Sequence, residues 1–207
     1  ARTRNFAVIA YGEAASLERQ FTETDIFGAM TTFQGEEEGA KFEASILADR
    51  EWFDLQLGGE VARIDVDDAV TFSFSGFGNF SEPQEGSVDI GRAYAYLDIE
   101  MPEGVVWTVG GAFEHYEEDG GFLPVAVTEW QPRAAVRIRP IEAIELRGAY
   151  TETLSRRNLF PETLDRTTLA SFNQFFAETP GVEFRALSGA IDFRPIRSIP
   201  ARMEERR

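Results

Sequence analysis

The 207-residue sequence contains no cysteine, one histidine (His115) and one lysine (Lys41). Without cysteine there is no disulfide, no thiolate metal site and no thiol nucleophile, and a lone histidine cannot build a multi-histidine zinc centre. Basic charge is scarce as well: 20 Lys and Arg stand against 36 Asp and Glu, a formal charge of −16. A field of that sign opposes binding through nucleic-acid phosphates, so nucleic acid is not an expected partner. No window approaches the ~18 unbroken apolar residues of a membrane-spanning helix. Residues 1–10 lack the basic-then-apolar layout of a secretory signal. The start at Ala1 and the charged end Ala201 to Arg207 are those expected of a piece of a longer protein.

What is abundant is aromatic and glycine residues, with 18 Phe and 18 Gly, and an apolar period of two. Ala40, Phe42, Ala44, Ile46 and Ala48 alternate with Lys41, Glu43 and Ser45, which is the pattern of a strand with two unlike faces. Phe72, Phe74 and Phe80 share a face. Trp130, Ala134, Val136 and Ile138 oppose Gln131, Arg133, Arg137 and Arg139, and Ile144, Leu146 and Tyr150 oppose Glu145, Arg147 and Thr151. About eleven such segments are read, near 3–11, 14–21, 26–33, 40–48, 52–65, 70–80, 87–99, 105–117, 130–139, 143–153 and 182–194, with a twelfth starting near Ala201. Several reach the length of about 9–11 residues that a tilted strand needs to cross a bilayer. The expected fold is therefore all-β: an antiparallel up-and-down transmembrane β-barrel, partial, of about 11–12 strands, with residues 1–207 as one domain.

Outer-membrane barrels alternate short turns with long loops. The second half follows this, with a loop at Ser81–Gly86 after the strand ending near Phe80, tight connections at Glu100–Gly104, Pro140–Glu142 and around Pro195, and long ones at Glu118–Glu129 and Leu154–Gly181. The first half does not, because Asp49–Glu51 is short where a long loop is due and Gln34–Gly39 is too long for a turn. Gly58-Gly59 is a candidate break, since the apolar face switches across it from Phe53, Leu55 and Leu57 to Ala62, Ile64 and Val66. At the Pro140–Glu142 hairpin the two polar faces meet when paired positions sum to an even number, and a centre of 282 sets Arg137 opposite Glu145 and Arg133 opposite Ala149.

Catalytic signals are sparse. His115 beside Glu117 and Glu118 has no nucleophile elbow and reads as a loop-edge residue. Glu36–Glu38, Asp65 with Asp67 and Asp68, and Glu117–Asp119 do not match a calcium loop and read as solvated loop tips. Gly76-Phe77-Gly78 lacks a dinucleotide-loop context, and no cofactor is expected. The aromatics Tyr11, Phe21, Phe33, Trp52, Phe80, Trp107, Tyr116, Trp130 and Tyr150 lie near strand ends, as in membrane girdles, and suit a sandwich core as well. In a barrel, Arg133, Arg137, Arg139, Glu145 and Arg147 line the lumen, favouring anionic or polyhydroxylated solutes, while Phe72, Phe74, Val136, Ile138 and Leu146 turn outward. The long loop, with Phe172, Asn173, Gln174, Phe175 and Phe176, folds over the mouth or into it.

The stretch Glu145 to Gly181 carries an Arg-rich Thr-Leu segment ending a strand (Leu146 to Arg157), then Thr163 to Thr167, then the run Phe172 to Phe176. It resembles the C-terminal barrel region of bacterial tetratricopeptide-repeat outer-membrane proteins, and Val182 to Arg207 looks like the next hairpin. The resemblance implies a barrel in the outer membrane of a Gram-negative bacterium, a periplasmic helical-repeat domain in the parent protein and lipid as partner; it names no cargo, though related barrels export polysaccharide, while the Arg-rich face suits an anionic solute. The chain has no helical repeat and no aromatic C-terminal residue, as expected of an internal fragment. The face alternation also resembles TonB-dependent receptors, without their plug. The first expectation is thus a non-enzymatic pore or export channel. The alternatives are a soluble all-β sandwich or jelly roll that binds carbohydrate, and an all-β hydrolase using two carboxylates.

Overall fold

The alternating segments join into fewer and longer strands than expected. The computed structural model describes residues 5–24, 30–74, 78–120, 124–157, 159–160, 162–173 and 181–194. Its strands are β1 (Asn5–Thr24), β2 (Met30–Asp49), β3 (Phe53–Phe74), β4 (Gly78–Glu100), β5 (Val105–Asp119), β6 (Val125–Ile141), β7 (Ile144–Leu154), β8 (Thr168–Leu169), β9 (Phe172–Asn173) and β10 (Glu183–Phe193). Eight of them form one antiparallel up-and-down sheet in the order β1-β2-β3-β4-β5-β6-β7-β10, and β8-β9 is a separate small hairpin. The sheet is not closed, which accords with a partial barrel; β1 and β10 are its edges.

Among the described residues eight sheet strands stand where eleven were expected, because the expected breaks are strand interiors; the twelfth, expected near Ala201, lies outside the described residues. Gln34–Gly39 lies within β2, Ser81–Gly86 within β4, and Gly58-Gly59 within β3, whose pairing with both neighbours runs through unshifted. The reversal expected beyond Phe80 comes earlier, so that Phe72 pairs across the hairpin with Phe80. With these corrections the length alternation holds only in part, since the connection from Phe74 to Gly78 is as short as that from Asp49 to Phe53. Asp49/Phe53, Glu100/Val105 and Ile141/Ile144 are the tight turns of one end, and the 28-residue connection from Leu154 to Glu183 belongs to the other. The acidic run Glu36–Glu38 and Asp65–Asp68 accordingly sit inside strands rather than on loop tips. The β6–β7 register sums to 284 instead of 282, placing Arg137 opposite Arg147 and Arg133 opposite Thr151. Between Ile138 and Ile141 an irregularity leaves one extra residue on β6, the sum moving from 285 at the turn to 284; because 284 is even like 282, the parity and the shared polar face survive.

One face carries the 154–173 segment and is called the inner face; the other is bare. Near the tight-turn end each strand turns its apolar residues to the bare face. On β1 to β6 these stretches are Phe6–Ala14, Ala40–Ala48, Phe53–Val61, Gly91–Ile99, Val105–Phe113 and Trp130–Ile138, nine residues each, with no charged residue at any bare-face position. The next bare-face positions toward the long-loop end are Ser16, Glu38, Arg63, Asp89, His115 and Thr128, all polar. Past that boundary the faces exchange roles: Ala62, Ile64, Val88, Ile90 and Tyr116 form a buried inner cluster with Leu154, Leu159 and Phe160. This exchange is the phase switch seen at Gly58-Gly59. It also corrects Phe72, which shares the inner parity of Ile64 and Val70 rather than the bare face of Val136, Ile138 and Leu146.

The apolar stretches are level within the pairs β1–β2, β3–β4 and β5–β6 and step two residues toward the tight-turn end at β2–β3 and β4–β5, that is, from each pair to the next. One residue per strand, with a rise of ~3.3 Å and a strand spacing of ~4.8 Å, corresponds to a band cutting the strands at a tilt of roughly 35°. That is the strand tilt of barrels, about 35–45°.

Glycine at 58 is a steric requirement of the inner face. A Cβ there would lie 2.3 Å from the Tyr94 ring, whose hydroxyl donates to Glu43 at 3.0 Å. Gly58→Ala is expected to cost about 1–3 kcal/mol by overpacking. Gly91→Ala, whose Cβ meets nothing within 4 Å, is expected to leave the thermal midpoint unchanged; equal midpoints for both variants would contradict the packing.

Candidate functional site

The inner face of the banded region is polar and most of its groups are buried. Strand parity delivers Lys41 and Glu43 from β2, Gln56 and Glu60 from β3, Arg92, Tyr94, Tyr96 and Asp98 from β4, Glu114 from β5 and Gln131 and Arg133 from β6. Opposite charges meet across the ladder: Glu60 is the cross-strand partner of Arg92, and Arg92 that of Glu114.

The segment after β7 lies on this face and completes it. Asp165 is its centre, with its carboxylate 2.5 Å from Arg92 and 3.2 Å from Arg133, in a group whose side chains are 3%, 3% and 0% exposed. Arg133 also donates to the Tyr96 hydroxyl. Glu43 accepts from Tyr94 and Tyr11 at 3.0 Å and from Thr163 and the Asp165 backbone N–H at 3.1 Å. Lys41 donates to the Glu162 carbonyl and lies over the Tyr11 and Phe160 rings. Gln56 donates to the Leu164 carbonyl at 2.6 Å.

Three arginines of the segment extend outward from that centre. Arg156 forks onto Glu60 at 3.0 and 3.3 Å. Arg157 bridges Glu37 at 2.7 Å, Glu118 at 3.1 Å and Asp68 at 3.5 Å. Arg166 sets its Nη1 between the two Asp98 oxygens at 2.9 and 2.8 Å, donates from Nε to Gln56 at 3.1 Å and lies over Tyr96. Burial alone would lower the proton affinity of the Arg157 guanidinium; Glu118, Glu37 and Asp68 outweigh it and hold the pKa above the ordinary arginine value. Arg157 is thus a cation at every working pH. Buried pairs of this kind add little net stability and much specificity of placement, because a misplaced loop would leave charges uncompensated.

The sequence-predicted residues Arg133, Arg137, Arg139, Glu145 and Arg147 all fall on the inner face. They do not form one unit. Arg133 belongs to the Asp165 centre; Arg139 pairs with Glu145 at 2.6 Å, and Arg147 pairs with Asp192 at 2.6 Å, donates to the Ala170 carbonyl at 2.8 Å and lies over Phe172. Arg137 has no hydrogen-bond or ion-pair partner among the described residues. Phe172 and Asn173 form β9, whose hairpin packs Leu169 on Ala135 and Ala149; Gln174, Phe175 and Phe176 lie outside the described residues. His115 is on the bare face, 2.8 Å from the Thr128 hydroxyl and away from this centre.

Of the nine expected girdle aromatics, Trp107, Trp130 and Tyr150 stand on the bare face of their strands and Trp52 is exposed in a tight turn. Tyr11 and Tyr116 face inward, and Phe21 stacks on Phe33 at 4.5 Å near the far end of β1–β2. Sequence reading missed Glu43, Arg92 and Asp165. The alternation around Glu43 was a usable signal, but nothing local marks Asp165.

No protein-family profile matches the chain, and no curated protein matches it.

Proposed function

We propose that this chain is part of an outer-membrane β-barrel whose bare face meets lipid and whose polar inner face forms a solute path narrowed by the 154–173 segment. The observation that carries this reading is the nine-residue band. It is free of charge across six strands, is edged on each strand by a polar residue at its long-loop side, and is tilted as barrel strands are. A soluble module would have to cover that band with further protein, since contiguous exposed apolar surface of such extent is otherwise a liability. Lipid covers it directly. The unpaired edges of β1 and β10 are then satisfied by further strands, because lipid offers no hydrogen-bond partner.

The path is non-enzymatic in this reading: the inner groups are cross-linked as ion pairs and fork-shaped hydrogen bonds, an arrangement that positions a loop. Passage of anionic or polyhydroxylated solutes follows from the Arg-rich tight-turn end at Arg137, Arg139 and Arg147. The similarity of Glu145 to Gly181 to tetratricopeptide-repeat outer-membrane barrels agrees with this and adds a periplasmic helical-repeat domain to the parent protein.

Expression of the parent gene product with its natural ends, followed by membrane fractionation, tests the reading. Recovery in the outer membrane with heat-modifiable gel migration is expected, as for closed lipid-embedded barrels. A folded chain in the soluble fraction would overturn it and favour the soluble all-β module.

A further inference from the structure

Beside the loop-held network is a cavity of about 240 Å³ on the inner face of β4, β5 and β6, closed on its far side by the β8–β9 hairpin. Its polar lining is Asp98, Thr108, Arg137, Arg166, Thr168 and Ser171. Asp98 is already occupied, accepting from Thr108 at 2.6 Å and held through both its oxygens by Nη1 of Arg166. One positive charge is therefore left over, and it is on Arg137. Arg137 also faces Arg147 directly across the β6–β7 ladder, an unfavourable placement for two like charges. Glu145 is near enough to feel its charge but is taken by Arg139.

The hairpin that closes the cavity is itself strained. Its two turn residues, Ala170 and Ser171, have φ of 46° and 67°, a conformation suited to glycine or asparagine. The strained turn that brings Ser171 to the cavity, and the facing of like charges at Arg137 and Arg147, are two independent departures from what folding alone favours; the Arg137 side chain is exposed, so water solvates it in the absence of a partner. Such departures concentrate where a ligand is held.

We propose that this cavity binds the carboxylate of a small polyhydroxylated acid, with Arg137 taking the carboxylate and the Thr168 and Ser171 hydroxyls taking sugar-type hydroxyl groups. Its volume is that of about eight waters of liquid, enough for one such ring and no chain. Arg137 presents a planar fork matched to a carboxylate, whereas a neutral sugar leaves it unpaired. The site deepens the pore reading, on which it rests for solute access, by naming the class of solute.

Calorimetric titration of the full chain in detergent with glucuronate, and separately with glucose, tests it. Saturable glucuronate binding is expected and glucose binding is not. Arg137→Gln is expected to lose about tenfold or more in affinity, the scale of one charge-assisted contact. Arg63→Gln, on the bare face of β3 and paired among the described residues only with Asp65 and Asp89, is expected to bind as the parent does. Ser171→Ala and Thr168→Val probe the opposite wall and are expected to weaken binding even if Arg137→Gln does not fold. Absence of saturable glucuronate binding, or full affinity in Arg137→Gln, would overturn the site. Planar-bilayer conductance of the same preparation tests the pore separately: a conducting chain that ignores glucuronate loses only the site, and a chain that binds glucuronate without conducting loses only the pore.

Discussion

Val109→Arg is expected to cost about 2–4 kcal/mol in lipid vesicles, the penalty of a cation at the bilayer midplane on the outside of a barrel. Val109 is the central position of the β5 stretch Val105–Phe113, and its side chain is bare in the sheet. Ser16→Arg, at the first polar position past the band on β1, is expected to cost no more than about 1 kcal/mol, the value near an interface. Urea unfolding of vesicle-folded protein, followed by gel migration, measures both. The contrast between the two positions is what matters. On a water-facing sheet an added arginine at either exposed site would change stability by only about 0.5 kcal/mol, so equal and small effects would contradict a lipid-facing band.

The second large effect is expected inside. Asp165→Asn removes the carboxylate shared by Arg92 and Arg133, both buried, while keeping the shape of the side chain. Removing one member of a buried ion pair typically costs about 3–5 kcal/mol because the remaining charge is stranded. Glu114, 3.5 Å from Arg92, offsets part of this, so about 3 kcal/mol is expected. That energy holds the 154–173 segment in place. The segment is expected to detach before the sheet unfolds, with protease cleavage near Arg156 and Arg157 and a rise in single-channel conductance. A variant with unchanged cleavage and conductance would show that the segment does not narrow the path.

These two sites differ in how far sequence alone could reach them. The lower band was legible on β6 and β7, where Trp130 to Ile138 alternates with Gln131 to Arg139 without interruption. It was obscured on β1 to β4, because those strands run past the band and exchange their faces. On β3 the apolar parity moves from Leu55 and Leu57 to Ala62 and Ile64, and a period of two read locally takes that exchange for a strand break. The strand number was overcounted for this reason, and the β6–β7 register missed by two residues because an irregularity near the turn leaves no mark in composition.

The candidate site was half legible. Arg133 and Arg137 were visible as the polar side of β6, but their different fates depend on Asp165 and Glu43, which are 122 residues apart in the chain and meet through a backbone N–H. Nothing near Thr163 to Arg166 distinguishes Asp165 from the other acids of so acidic a chain. Its role comes from a loop returning across strands β2 to β6, a placement set by long-range charge pairing rather than by local pattern.

The most direct test of a lipid-facing band uses the chain's own tryptophans, since Trp107 and Trp130 stand exposed on the bare face and Trp52 is exposed at the tight-turn end. Fluorescence of the protein folded into vesicles is measured with brominated lipid and, separately, with aqueous iodide. Strong quenching by brominated lipid together with protection from iodide is predicted. Iodide quenching without any effect of brominated lipid would place the bare face in water and contradict the barrel.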